Sequence, residues 1–215
     1  MRRMIFALAL LIGFSVMNAQ DKTARDFKIE GAEAYKAKDY AAALPAFEQA
    51  IKLYEADSKP DTTLYFNAGY CAYKTKDYTK ASTYFDKSIE LGYKKCKAKF
   101  LKVAILKKEK KSDEMLVLAE DGANTCPKMK PKFTKIIAGH HKKVALKSFN
   151  AASKKLAKTN AYAKTNPKKF KSEIVKVQQM FKKTLVLLEK AKSYKAEQSI
   201  LDAIEQAQKV IATKY

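Results

Sequence analysis

Residues 31–53 read GAEAYKAKDYAAALPAFEQAIKL, and residues 69–91 read GYCAYKTKDYTKASTYFDKSIEL. Setting Asp39-Tyr40 on Asp77-Tyr78 brings Gly31 onto Gly69, Ala34-Tyr35 onto Ala72-Tyr73, and Phe47 onto Phe85. Ile51 and Leu53 fall on Ile89 and Leu91, so the offset is 38 residues throughout. Self-similarity at such a period marks a stack of identical supersecondary units. Each copy describes two amphipathic helices around a turn. Gly31, Ala34 and Tyr35 form one stripe, Lys38-Asp39 the turn, and Ala43, Leu44, Phe47, Ala50 and Ile51 the next stripe. Steps of three and four put these groups on one helical face. Gly31, Gly69, Ala43 and Ala81 are small where two helix backbones would collide, and Phe47 and Phe85 are expected to fill the wedge between hairpins.

These residues resemble the tetratricopeptide repeat family: a small residue, an aromatic, Asp-Tyr at the turn, then Ala-Leu-x-x-Phe-x-x-Ala. The resemblance is specific over residues 26–92 and fades afterwards. It implies an all-α fold, a right-handed superhelix of about four to five antiparallel hairpins closed by a C-terminal capping helix. Weaker copies of the second-helix pattern follow at Met115-Leu116, Ala145-Leu146 and Thr184-Leu185, with irregular spacing. The organisation expected is therefore repeats one to three over residues 20–127, then degenerate hairpins and the cap over 128–215. Asn166-Pro167 is a helix start with a capping Asn and a first-turn Pro. A single helix from there to about Lys192 is expected, and a last one from Ala196 to Ala212. Gly139 suggests a turn that leaves His140 and His141 facing solvent.

Composition agrees with the class. Six glycines, five prolines and no tryptophan occur in 215 residues, and Ala, Lys, Leu, Glu and Gln are good helix formers. Met1-Arg2-Arg3, the apolar run Ile5 to Val16, and Ala19 follow in the order of a secretory signal peptide. The run is about a dozen residues, short of the ~20 of a spanning helix. Cleavage after Ala19 is expected, and an uncleaved anchoring start is the other reading. The signal and the repeats together point to the periplasm or cell envelope of a Gram-negative bacterium.

Charge divides the chain. Residues 21–92 hold 11 basic and 12 acidic side chains, whereas residues 93–215 hold 31 and 10. Between Gly122 and Ser172 there is no Asp or Glu. Such a field attracts anions, but 41 of 44 basic residues are lysine, which also fits a general compositional preference. Nucleic acid is disfavoured, since arginine for base-edge readout is nearly absent.

Nothing points to catalysis. There is no Gly-rich phosphate loop, GxSxG or HExxH. Neighbouring His140 and His141 diverge by ~100° on a helix and do not readily share a metal. No cofactor, metal or small-molecule substrate is expected. Asp113-Glu114 and Glu120-Asp121 read as solvated charge. The expected function is that of a non-enzymatic protein-binding scaffold of the envelope. The alternative is a module binding lipopolysaccharide, anionic lipid or nucleic acid through its lysine-rich C-terminal half.

The resemblance places the partner-binding groove on the first helix of each repeat. Phe66, Tyr70 and Tyr73, ending beside Lys74, would face it. Lys28 and Tyr35 from repeat one, and Lys97 and Phe100 from repeat three, would flank it. A subset of the family holds a peptide carboxylate in a lysine and asparagine clamp. Lys28, Asn67 and Lys97 fall at such places, while Ala32 and Leu101 depart from the pattern. The other reading of these rings is packing between repeats. The same layout brings Cys96 and Cys126 to adjoining helix ends, where either a disulfide or two free thiols could result. Cys71 reads as a buried thiol.

Overall fold

The computed structural model describes residues 22–215. The expected signal peptide, residues 1–19, lies outside them. The described chain begins with three short hairpins: α1 (Ala24–Lys36) with α2 (Tyr40–Ala56), α3 (Thr62–Lys74) with α4 (Tyr78–Glu90), and α5 (Lys95–Lys108) with α6 (Ser112–Thr125). A single 3-10 turn then leads into α7 (Lys130–Asn160), the short α8 (Tyr162–Thr165), α9 (Pro167–Tyr194) and α10 (Gln198–Ala212). No strand occurs among the described residues.

Each short hairpin turns in the same way. Lys38, Lys76 and Lys110 take left-handed backbone, with φ of 63°, 68° and 61°. The next residue's N–H reaches back to the first helix: Asp39 to the Ala34 carbonyl at 2.9 Å, Asp77 to Ala72 at 2.9 Å, and Lys111 to Leu106 at 3.0 Å. This is the Schellman closure, which satisfies the last carbonyls of a helix. In the first two turns the same aspartate then starts the second helix. Asp39 accepts from the Ala42 N–H and Asp77 from the Lys80 N–H, both at 3.0 Å. Two residues thus end one helix and begin the next.

A ring seated on a glycine holds the hairpins shut. A Cβ on Gly31 would stand 2.7 Å from the Phe47 ring, and one on Gly69 would stand 2.9 Å from Phe85. The glycines therefore admit a ring from their own hairpin, where the expectation had two backbones meeting. Gly122 of α6 repeats the device across the next junction, at 2.5 Å from the Phe133 ring of α7. Phe47, Phe85 and Phe133 are all buried. The third hairpin replaces the pair with Val103 and Ala119, both buried.

Three apolar cores follow one another. The first joins α1 to α4 and reaches Ala98 and Ile105 of α5. The second spans Val103, Met115, Ala119, Phe133 and Ile137. The third packs Ala145 and Ala152 of α7 against Val177, Phe181 and Leu188 of α9, and closes with Ile200, Ala203, Ile204 and Ala207 of α10. Adjacent-unit contact of this kind is the rule for stacked repeats. Gln178 finishes the cap, its side-chain amide donating to the carbonyls of Val210 at 3.2 Å and Thr213 at 2.9 Å.

The rear half departs from expectation in one respect. The copies read at Ala145 and Thr184 are not second helices of separate hairpins. They are the two arms of one long hairpin, α7 against α9, where Ser148 and Thr184 hydroxyls meet at 2.6 Å. No left-handed residue or capping Asp interrupts residues 130–160, so Gly139, His140 and His141 lie inside α7. His141 is not a solvent-facing turn residue. Its ring stacks on Tyr194 at 5.0 Å, and burial together with the Lys190 and His140 charges lowers its pKa. Asn166 caps α9 by accepting from the Lys169 N–H at 3.1 Å, with Pro167 in the first turn.

Ion pairs supply cross-braces. Lys99 is only 4% exposed, and its ammonium meets Asp121 and the Thr125 hydroxyl. Asp121 is thus a structural partner, where the sequence suggested solvated charge. A disulfide joins Cys96 to Cys126 with a Cα–Cα separation of 5.7 Å. Cys71 is buried, and desolvation pushes its thiol pKa up to about 12, which keeps it from acting as a nucleophile.

Two measurements check this account. In urea unfolding, Gly69→Ala should lose about 1–3 kcal/mol by overpacking against Phe85. Gly139→Ala, with nothing within 4 Å of the new Cβ, should gain ~0.5–1 kcal/mol as a mid-helix replacement. A loss at Gly139 would mean that α7 is broken there. Reducing the disulfide, whose cysteines are 30 residues apart, should cost about 3–4 kcal/mol. Equal stability of the reduced and oxidised chains would contradict it.

Candidate functional site: an aromatic and lysine face across α1, α3 and α5

The first helices of the hairpins are joined through side chains. Tyr35 of α1 and Tyr70 of α3 lie with ring centroids 5.7 Å apart, and the Lys97 ammonium of α5 stands 5.8 Å from the Tyr70 ring. The second helices are tied separately, since Glu48 of α2 accepts from Lys80 at 2.9 Å and from the Tyr84 hydroxyl at 3.0 Å on α4. Two layers result, and the aromatic face belongs to the first, with Tyr40 joining it from the start of α2.

Tyr70 is its centre. Tyr35 and Tyr40 each approach it at 5.7 Å, and Tyr40 meets Tyr35 edge-on at the same distance. All three are half-buried. Lys74 stands over Tyr40 at 5.3 Å, Lys97 over Phe66 at 5.5 Å, and Lys94 over Phe66 at 4.8 Å. A cation over a ring face gains about 0.5–1 kcal/mol at exposed sites. None of the three lysines is within ion-pair distance of a carboxylate among the described residues. Ring surface edged by unpaired ammonium groups suits an acidic, apolar segment of another chain.

The structure redistributes the residues singled out in the sequence. Tyr35, Tyr70, Lys74 and Lys97 come together. Phe66 does not face solvent. It is 1% exposed and packs on Phe85 at 5.9 Å and Tyr93 at 6.3 Å, because its position on α3 points it towards α4. Tyr73 sits at the far end beside Tyr78, 6.1 Å away. Phe100 belongs to the next core, edge-on to Phe133 at 5.7 Å. Asn67 remains partly exposed on α3.

Lys28 is committed elsewhere. Its ammonium binds Asp61, the residue that caps α3. Burial works to raise the Asp61 pKa but is overcome by hydrogen bonds from Lys28 and Thr63, which lower it. The clamp of Lys28, Asn67 and Lys97 therefore lacks one free cation. Two contributors escaped sequence reading. Tyr40 reads in the sequence as part of the turn motif alone, and Lys94 takes a left-handed φ of 45° just after Gly92 at φ 78°. The Gly92-Tyr93-Lys94 run is the sequence signal for that bend.

No family model matches the chain, and no curated protein matches it. Among solved structures, it is similar to a tetratricopeptide repeats protein from Bacteroides fragilis NCTC 9343, at 23% identity and a TM-score of 0.60. That match covers 87% of this chain and 99% of the other. A candidate protein-binding protein from Bacteroides ovatus ATCC 8483 is similar at 10% identity and a TM-score of 0.42, over 88% of this chain and 98% of the other. The fold is that of a tetratricopeptide-type helical repeat protein. Among the described residues, no group of three or more His, Cys, Asp or Glu is placed to hold a metal ion, and no helix is long and apolar enough to cross a membrane.

Burial, followed by the nearby Tyr70, Cys71 and Tyr40, raises the Tyr35 pKa to about 12 from its ordinary 10.0. An unfolded Tyr35 releases its proton first, so this contribution is whole below pH 10 and is lost as pH rises towards 12. Spectrophotometric titration should show Tyr35→Phe removing one phenol from the late-ionising set. A Tyr35 phenol that ionises near pH 10 in the folded chain would contradict the packed cluster.

Proposed function

We propose that this chain is an exported, non-enzymatic scaffold of a Gram-negative envelope, which holds a protein segment against the α1–α3–α5 face. One observation carries the proposal: Tyr35, Tyr40 and Tyr70 form a continuous half-buried ring surface, edged by Lys74 and Lys97, which have no carboxylate partners among the described residues. Half-buried rings give a partner contact area with little side-chain entropy left to lose. The lysines add long-range attraction and favour acidic groups beside apolar ones. In stacked repeats the first helices line the trough that receives partners, and the location of Tyr35 and Tyr70 on α1 and α3 supports this reading. Export rests on the charge, apolar run and small residue of positions 1–19. The non-enzymatic reading rests on the chemistry of the face, which offers rings and ammonium groups but no nucleophile paired with a base. An anion-docking rear half would use other surfaces and leave this one free.

The test compares wild type with Tyr70→Ala and Lys97→Glu in affinity capture from envelope extract, with folding verified by circular dichroism. A specific partner should be lost in both variants, about tenfold or more for the central tyrosine if it behaves as a hot spot. High salt should weaken capture by slowing association. Capture unchanged in both variants would remove this face from the proposal. Loss in Lys97→Glu alone would replace ring contact with a purely electrostatic one.

A further inference from the structure

We infer that a compact polyphosphate group, free or carried on a lipid headgroup, binds in a cleft between the third hairpin and α7. The cleft has a volume of about 650 Å³. Lys107 and Lys110, from the end of α5 and its turn, form one wall. Lys135, His140, Lys143 and Lys147 of α7 form the other. Residues 135, 139, 143 and 147 recur every fourth position, so they follow one face of the helix. Gly139 interrupts this row of lysines, and nothing lies within 4 Å of where its Cβ would be. The row therefore opens at its middle. Met115, Ile136 and Val144 complete the lining with apolar groups.

The charge arrangement is one-sided. Among the described residues, five lysines and a histidine line the cleft and no carboxylate does. None of the five lysines pairs with a carboxylate among the described residues. Neighbouring lysines do: Lys99 with Asp121, Lys102 with Asp86, Lys142 with Glu197, and Lys155 with Glu173. Asp113 and Glu114, close by in sequence, do not line the cleft. Like charges gathered in a recess repel one another, and a bound anion relieves that repulsion. A compact group bearing several phosphates fits this demand, since it concentrates charge within the available volume. A peptide spreads its carboxylates along an extended backbone. Lysine ammonium groups act as point charges well suited to phosphate. Among the described residues, no Phe, Tyr or Trp lines the cleft to form a stacking platform and His140 is its single ring, which disfavours single-stranded nucleic acid.

This inference goes beyond the protein-binding reading and stands without it. Inorganic tripolyphosphate is titrated calorimetrically into the purified chain at low ionic strength. Parallel samples float with phosphatidylcholine vesicles with and without phosphatidylinositol 4,5-bisphosphate, whose headgroup carries several phosphates. Lys143→Gln/Lys147→Gln tests the cleft. Lys154→Gln/Lys158→Gln, exposed on the same helix but outside the cleft, makes the same change in net charge. The expected result is one tripolyphosphate per chain, weakened about tenfold or more by the first pair and unchanged by the second. Vesicle binding that tripolyphosphate displaces assigns the group to a headgroup; tripolyphosphate binding without flotation assigns it to a free ligand. Equal weakening by both pairs, several ions per chain, absence of binding, or tighter binding of a single-stranded oligonucleotide with equal dependence on both pairs would overturn the proposal. Tyr70→Ala should bind tripolyphosphate as wild type does, which separates this site from the aromatic face.

Discussion

An aromatic ring resting on a glycine sets the geometry of the front of this protein. Gly31 receives Phe47 and Gly69 receives Phe85, each with no room for a methyl group. With helix spacing set in this way, the two hairpins take the same form, and their first helices can align. Tyr35 and Tyr70 can then touch across the junction, and Tyr40 can close the group. The aromatic face thus arises from interior packing. Gly122 and Phe133 carry the same contact from the third hairpin into α7, so a rear half of different architecture joins through a contact of the same kind.

Scarce carboxylates serve as fasteners. The rear half has few of them, and Asp121, Glu173 and Glu197 each bridge two elements. Glu173 accepts from Lys155 of α7 and from Lys176 of its own helix, and these hydrogen bonds hold its pKa down to about 2. Glu197 joins Lys142 to the start of α10, with Lys195 beside it. Each is partly exposed, so its value as an isolated pair is small; its effect is to fix which helix lies beside which. The lysines left over remain available to anions.

The front hairpins could be read from the chain because their determinants are local and specific. A small residue, a ring and Asp-Tyr at a fixed interval have few alternative explanations, and the start of α9 was announced by Asn166-Pro167. The rear misled for a physical reason. Ala145, Phe149 and Ala152 recur every three or four residues as they would in the second helix of a repeat, but any amphipathic helix shows that spacing. Only a break could separate two short helices from one long one, and a lone Gly139 in a good helix former's context is too weak a break. Phe66 shows a different limit. It lies one helical turn before Tyr70, yet whether such a ring faces outward depends on how close α4 approaches, which is a tertiary distance. Lys28 looked like a free cation because its partner Asp61 is 33 residues away.

The bond between Cys96 and Cys126 encloses α5 and α6 almost entirely. Should this middle unit melt, its ends stay tethered, and the unfolded span is a closed ring instead of an open linker. Fraying that enters from either terminus therefore meets a knot in the string at the centre. In an oxidising compartment the two halves keep their neighbourhood through such an excursion, and the middle can reseal without searching for its flanks.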